Sequence, residues 1–500
     1  MKKIILGFIF GAFCSTLHAQ VKQDAFNSTR QKVGGGNSSA FNQGRVSNFN
    51  DYRQKLNAEY VSKTREKWNS FNSFRGILEP DRNDKPVTPI KMSEDDAQRE
   101  KKDNRLNIES VVTPIRNNNM PQPIAPVKET PENNPQYTSF TYWGTSLQVR
   151  KPQNGKITLA GTNENAVADA WDKLCDPQFN NMVVDCLKLR SSLKLCDWAY
   201  LLMLKEFANS YYGANTNEAT LLMAYIFSQS GYKMRLGQYN GKLEMLYASQ
   251  HCIYNTPYFE CDGDRFFPLS GKTGEIQINA AKYPKEQSLS LWVSNEPQLS
   301  FSASPVRTLT SKRYPEMSIQ TSVNMNLIAF FNTYPSSEVG GNFMTRWAMY
   351  ANTPVSQEIR NNMYPQLRNL IKGHSQLDAV ERLLSWVQTG FVYEYDDKVW
   401  GQDRAFFSEE SLYYPYCDCE DRSILLTRLV RDLLGLKCVL VYYPGHLASA
   451  IEFTEGNVKG DYIQLNGHKY VIADATYINA PVGATMPKMN NSGAKVILLD

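Results

Sequence analysis

The apolar positions divide this chain into stretches of different character. From about Val21 to about Tyr137 they keep no period: Asn, Ser, Gln, Lys and Pro dominate, in runs such as VGGGNSSAFNQG and NNNMPQPIAPVKETPENNPQ, and residues 20–137 are expected to be largely disordered. The exception is FNDYRQKLNAEYVSKTREKWNSFNSF, residues 49–74, where Tyr52, Leu56, Tyr60 and Trp68 fall on one side of a helix that Gly76 and Pro80 would stop. A solitary amphipathic helix of this kind either packs on a folded body or docks a partner. Alternation in TSFTYWGTSLQVR, 138–150, predicts a strand, and two helical segments follow, around 163–189 and 192–210. A Ser- and Pro-rich stretch with short strand-like runs, LSLWVSN and LIAFF, makes 286–340 a linker or a small strand-rich segment. Helical periodicity resumes near Glu358 and runs through LDAVERLLSWVQTG.

Shifting the chain by 204 positions pairs Tyr212 with Tyr416, Leu221 and Leu222 with Leu425 and Leu426, Gly231 with Gly435, Lys233 with Lys437, and Leu236 with Leu440. Both places read as helix, Gly stop, strand, and the repeat suggests two related units, 138–285 and 341–500. In the second, Ile424, Leu425, Leu429, Val430 and Leu433 sit three and four residues apart ahead of Gly435, which predicts a buried helix beginning at Cys419. Strands KCVLVYY, LASAIEF, DYIQL and KYVIADA follow.

A composition of 42% hydrophobic and 21% charged residues in 500 is globular, with room for two or three cores. The 54 Lys and Arg against 50 Asp and Glu leave +4, two of which are Lys2 and Lys3, so nucleic acid is excluded as a natural partner. No internal run approaches the roughly 20 apolar residues of a spanning helix. The start, MKKIILGFIFGAFCSTLHAQ, has the basic end, apolar stretch and small-residue exit of a signal peptide cut after Ala19. A lipoprotein signal at Cys14 is the alternative, against which Phe13 is too bulky. Export implies a periplasm, cell surface or extracellular destination, where the remaining eight cysteines meet oxidising conditions. Cys252 and Cys261 are close enough in the chain for a disulfide across adjacent strands. No metal motif, phosphate loop or cofactor signature stands out.

The chemistry concentrates in 383–478. Cys419 opens a helix, where free N–H groups and the positive dipole end favour a thiolate and an oxyanion. His446 opens a strand after Gly445 and can take the thiol proton, and Asp474 ends the strand KYVIADA, placed to orient the imidazole. CDCED with Cys419 and Asp421, GHLASA with His446, and VIADATY with Asp474 and Thr476, in that order, resemble the transglutaminase-like superfamily. The resemblance covers about 110 residues of the 500, with weaker support from WVQTGFVYEY. It implies an α+β fold: a papain-like, transglutaminase-like C-terminal domain, preceded by a degenerate copy of the same unit and a disordered N-terminal tail. It implies a Cys-His-Asp enzyme acting on amide bonds of a protein or peptide substrate of the cell envelope, without cofactor or metal, and with hydrolysis favoured over cross-linking.

Two departures qualify it: the usual small residue ahead of the nucleophile is Cys417, which can pair with Cys419 or cap it by redox chemistry, and the residue after the histidine is Leu447. Gln388, Tyr395 and Trp400 are the candidates for an oxyanion side chain, and Asp421 most simply favours the helix start. In the first unit Asn215 falls where Cys419 lies and Asn217 where Asp421 lies, and the histidine that follows, His251, sits beside Cys252 out of register, so that unit lacks the nucleophile. The competing reading is a non-catalytic binding or scaffold protein, and a redox role for the Cys417–Cys419 pair is a third.

Overall fold

The computed structural model describes residues 38–80, 87–98, 100–115, 120–153 and 155–500, so the expected signal peptide and Cys14 lie outside the described residues. Contacts separate Met1–Lys55 from Leu56–Asp500. The larger unit, Leu56–Asp500, is mixed α+β, with two curled sheets. In the first the strand order is Asn69–Asn72, Glu275–Ile278, Met234–Tyr239, Lys242–Ala248, Asp264–Pro268, Phe259–Cys261. In the second it is Val111–Val112, Lys495–Leu498, Cys438–Tyr443, His446–Glu452, His468–Ala473, Asp461–Leu465, Asn104–Arg105.

Four consecutive strands of each sheet pair in one register at a constant offset of 204. Met234 opposes Tyr247 as Cys438 opposes Ile451, Phe267 opposes Tyr247 as Val471 opposes Ile451, and Asp264 opposes Cys261 as His468 opposes Leu465. Each set of strands follows a buried helix, Asn217–Gln229 in one case and Cys419–Leu434 in the other. Glycine makes both turns into the next strand, Gly231 at φ 95° and Gly435 at φ 67°.

Helix Cys419–Leu434 forms for reasons local to its sequence. Asp418 and Asp421 make a reciprocal capping box at its start, and Gly435 in the left-handed region stops it. Every residue from Cys419 to Val430 is buried, as the helix runs between strand His446–Glu452 and helices Gln376–Gly390 and Thr345–Asn352. Fully buried Arg422 donates to the carbonyls of Gln388 and Phe391, both at 3.1 Å, and so ties this helix to the end of helix Gln376–Gly390.

The structure corrects several expectations. The helix placed at 49–74 runs Ser38–Thr64 instead, and Asn69–Asn72 leaves it to pair with Glu275–Ile278. Edge pairing outweighs local helix preference there: Asn279 donates to the Thr64 hydroxyl, and the Trp68 indole donates to the Thr64 carbonyl. Tyr60 is held between Trp171 and Tyr283, with ring centroids 4.6 and 4.5 Å away, while Tyr52 is exposed. This end of the helix is core, not a free docking face.

The tail expected to be disordered is ordered over much of its described length. Asn104–Arg105 and Val111–Val112 add parallel strands at the two edges of the second sheet, and Leu106 and Ile108 bury against its outer face. A polar composition hides this because an edge strand is held mostly by backbone. The predicted 138–150 strand is a hairpin, Gln136–Tyr142 with Thr145–Lys151, turned at Trp143 and Gly144, both at positive φ. The two helical segments are three, Glu164–Leu174, Asn180–Ser192 and Asp197–Tyr212.

Residues 286–340 are no linker. Leu289, Leu291, Trp292 and Val293 join the main core, and Arg307–Thr310 pairs with Ser318–Thr321. LIAFF lies in helix Met325–Phe331, capped by Asn324, rather than in a strand. None of the eight described cysteines is in a disulfide, Cys252 and Cys261 included.

A Cβ on Gly231 would stand 1.9 Å from the Gln122 carbonyl oxygen, at a backbone angle that side chains rarely adopt. Gly231→Ala is therefore expected to cost more than ~1 kcal/mol and lower the thermal midpoint, read by a calorimetric melt. An unchanged midpoint would contradict this packing.

Candidate active site

Cys419 and His446 line one cavity at the start of helix Cys419–Leu434, and His446 meets Asp474. His446 is the first residue of its strand, after a Pro444–Gly445 turn, and its Nε2 lies 2.8 Å from Asp474 Oδ2, with both side chains buried. The other Asp474 oxygen accepts the N–H groups of Thr476, at 2.8 Å, and Tyr477, at 3.1 Å, so the carboxylate is fixed from both sides. A carboxylate on Nε2 keeps the proton there and leaves Nδ1 as the basic nitrogen. Nδ1 has no hydrogen-bond partner.

Cys419 is buried at the first helical position, and its thiol donates to Glu420 Oε2 at 3.1 Å. Burial first, and then the carboxylates of Glu420 and Asp418, push the thiol well up, while the Leu447 N–H at the sulfur is a smaller opposing effect. The expectation of a thiol activated by the helix start is thus reversed in direction. The helix end offers about half a positive charge, and the capping sequence sets two carboxylates against it on the same turn. The Leu447 contact also places the sulfur beside the residue that follows His446.

Cys419 and His446 line one cavity of about 360 Å³. Six carboxylates share its wall: Glu79, Asp396, Asp397, Asp403, Asp418 and Glu420. Among the described residues no lysine or arginine lines it, although buried Arg346 stands behind, paired with Glu79 and Asp403. Trp347, Tyr395 and Tyr442 supply aromatic surface.

The supporting candidates separate. Gln388 is buried, and its amide donates to the carbonyls of Asp474, Tyr477 and Ala480 at 3.0, 2.8 and 3.1 Å. It holds the loop that carries Asp474 and is no oxyanion donor. Tyr395 lines the cavity, with its hydroxyl donating to Thr88 at 3.0 Å. Trp400 is not among the lining residues and packs edge-on against Phe406 and Tyr414. Asp421 accepts the N–H groups of Phe406, at 2.8 Å, and Asp418, at 3.2 Å, and so caps the helix start.

Cys417 does not pair with Cys419: its sulfur lies 3.9 Å from the Val392 carbonyl, and burial pushes its thiol up. Sequence reasoning missed Tyr393, which pairs with Cys417 across a short parallel bridge. Its hydroxyl is buried without a hydrogen-bond partner, and after burial Cys419 is the largest influence that raises it. It also missed the carboxylate wall, for which the acid density of CDCED and YDD was the available signal.

Sets of ligand atoms within 4.8 Å occur at Asp418, Cys419 and Glu420, at Asp396, Asp403 and Glu420, and at Asp396, Asp418 and Asp421. Oxygens so grouped suit a hard divalent cation, but both Asp421 oxygens and one of Asp396 already accept backbone N–H groups. Chemically the site offers a thiol, a basic nitrogen oriented by a carboxylate, and a wall that attracts positive charge.

Glu420→Gln removes a negative charge beside the sulfur. The thiol should move down, and iodoacetamide labelling of Cys419 near pH 7, followed by peptide mass spectrometry, should speed up; an unchanged rate would contradict the electrostatic account. Comparison of the chain with family models, curated proteins and solved structures gives no match.

Proposed function

We propose that residues 341–500 form a transglutaminase-like cysteine enzyme of an exported protein, acting on amide bonds through an acyl-enzyme. The observation that carries the reading is the buried His446–Asp474 pair with a partnerless Nδ1, in the same cavity as Cys419. His446 Nδ1 takes the thiol proton as the sulfur attacks an amide carbonyl, and returns it to the leaving amine as the C–N bond breaks. Asp474 steadies the imidazolium, and the Tyr393 hydroxyl is the candidate donor for the oxyanion. Water then attacks the thioester and releases an acid; an amine in its place would form a cross-link. A substrate that brings positive charge to the carboxylate wall eases thiolate formation.

The shared strand order and register support descent of 138–285 and 341–500 from one unit, the first having lost its nucleophile. Substrate protein or peptide in the cell envelope follows from the export reading, and no cofactor is invoked. One observation favours a second reading, a non-catalytic binding protein: the thiol is raised, where ready nucleophiles are lowered.

Release of new amino termini from a peptide mixture, with a labelled amine counted in parallel, separates these outcomes. Hydrolysis should vanish in Cys419→Ala and fall by ~10²–10⁴-fold in His446→Ala and Asp474→Ala. Equal rates in the variants would remove the enzyme reading. Label uptake exceeding hydrolysis would make the reaction a transfer.

A further inference from the structure

A second cavity, of about 400 Å³, opens in the first unit, and its position is set by the same offset of 204. Asn215, Lys242 and Ser270 line it, and these are the register counterparts of Cys419, His446 and Asp474. The link between neighbouring strands also persists, displaced by one pleat. Where His446 meets Asp474, the hydroxyl and backbone N–H of Ser270 both donate to Glu244, two residues beyond Lys242 on the same strand. A scaffold that has lost its nucleophile would be expected to fill the space with side chains. Here it stays open.

The lining has also changed sign. Among the described residues the catalytic cavity has six carboxylates and no lysine, whereas this one has Lys205, Lys242 and a single carboxylate, Glu244. Glu244 is buried and already hydrogen-bonded, and burial raises it towards its neutral form, as it does Asp418 in the first cavity. Neither Lys205 nor Lys242 has a salt-bridge contact among the described residues, although Lys205 acts electrostatically on Glu244, and Lys242 is exposed. Buried Met223 and Met245 give the cavity an apolar floor.

We propose that this sister cavity is a non-catalytic binding site for a peptide ending in a free carboxylate, with the carboxylate at Lys205 and Lys242 and an apolar side chain on the floor. The inference rests on the amide-hydrolysis reading in one respect: a free C-terminal carboxylate is the group that such hydrolysis creates. The first unit would then hold an acid product, or a substrate by its end, while the second unit works on amide bonds. Lys242 in place of the histidine supplies a fixed positive charge where the sister unit places a base.

The test uses the full chain carrying Cys419→Ala, which blocks turnover, and calorimetric titration with acetyl-Ala-Leu as the free acid and as its C-terminal amide. The acid should bind at one site, and the amide should bind at least about ten-fold more weakly, the loss of one charge-assisted hydrogen bond. Lys242→Ser, at an exposed position, should weaken the acid by a similar factor, as should Lys205→Ser, while Asp397→Asn in the catalytic cavity should leave it unchanged. Equal binding of acid and amide, indifference to both lysine substitutions, loss on Asp397→Asn, or no binding of the acid at millimolar concentration would each overturn the proposal. Acid binding without any peptide cleavage by the unsubstituted chain would sink the enzyme reading alone. Cleavage without acid binding would sink this inference alone.

Discussion

Burial of the amino-terminal turn of helix Cys419–Leu434 is the constraint on which the site depends. That turn brings Asp418, Glu420 and Asp421 out of water together, and buried carboxylates are tolerated only when donors meet them. Backbone supplies the donors for two of them, Asp418 accepting from Glu420 and Asp421 from Asp418 and Phe406, while Glu420 accepts the Cys419 thiol. Arg422, on the next residue, spends its guanidinium on the carbonyls that end helix Gln376–Gly390. The turn is rigid as a result, and Cys419 is held in one place. Burial and the same carboxylates push its thiol up, so the arrangement that fixes Cys419 also opposes its ionisation.

The sheet supplies the other half. His446 begins a central strand and Asp474 follows the strand beside it, and their 2.8 Å contact is set by a register that Gln388 secures from behind. Four strands of the first sheet keep that order and pairing, with Lys242 and Ser270 at those places. What differs is which side chains the shared register carries to the cavity wall.

Elements with strong local signals were legible in the sequence. Helix Cys419–Leu434 has its acid cap, apolar spacing and Gly435, and the strands after it alternate or run apolar as buried strands do. The order Cys419, His446, Asp474 was readable, and the structure puts Cys419 and His446 on one cavity wall with Asp474 bonded to His446. What was not legible depends on distant chain. Asn69–Asn72, Asn104–Arg105 and Val111–Val112 are strands only because sheet edges are there to receive them, and LIAFF reads equally as strand or helix until Asn324 caps it. Gln388 was placed near the site correctly but given the wrong task, since three carbonyls more than eighty residues away claim its amide. The direction of the Cys419 shift was missed for a related reason. The helix end is a property of local sequence, while the burial that raises the thiol comes from the whole fold.

The most direct measurement of the central claim, that Cys419 is acylated with His446 as its base, is reaction with 4-nitrophenyl acetate followed by peptide mass spectrometry. The account predicts an acetyl thioester on Cys419 in the unsubstituted chain, much reduced in His446→Ala. Absence of that adduct, or equal acetylation of Cys419 in His446→Ala, would contradict it.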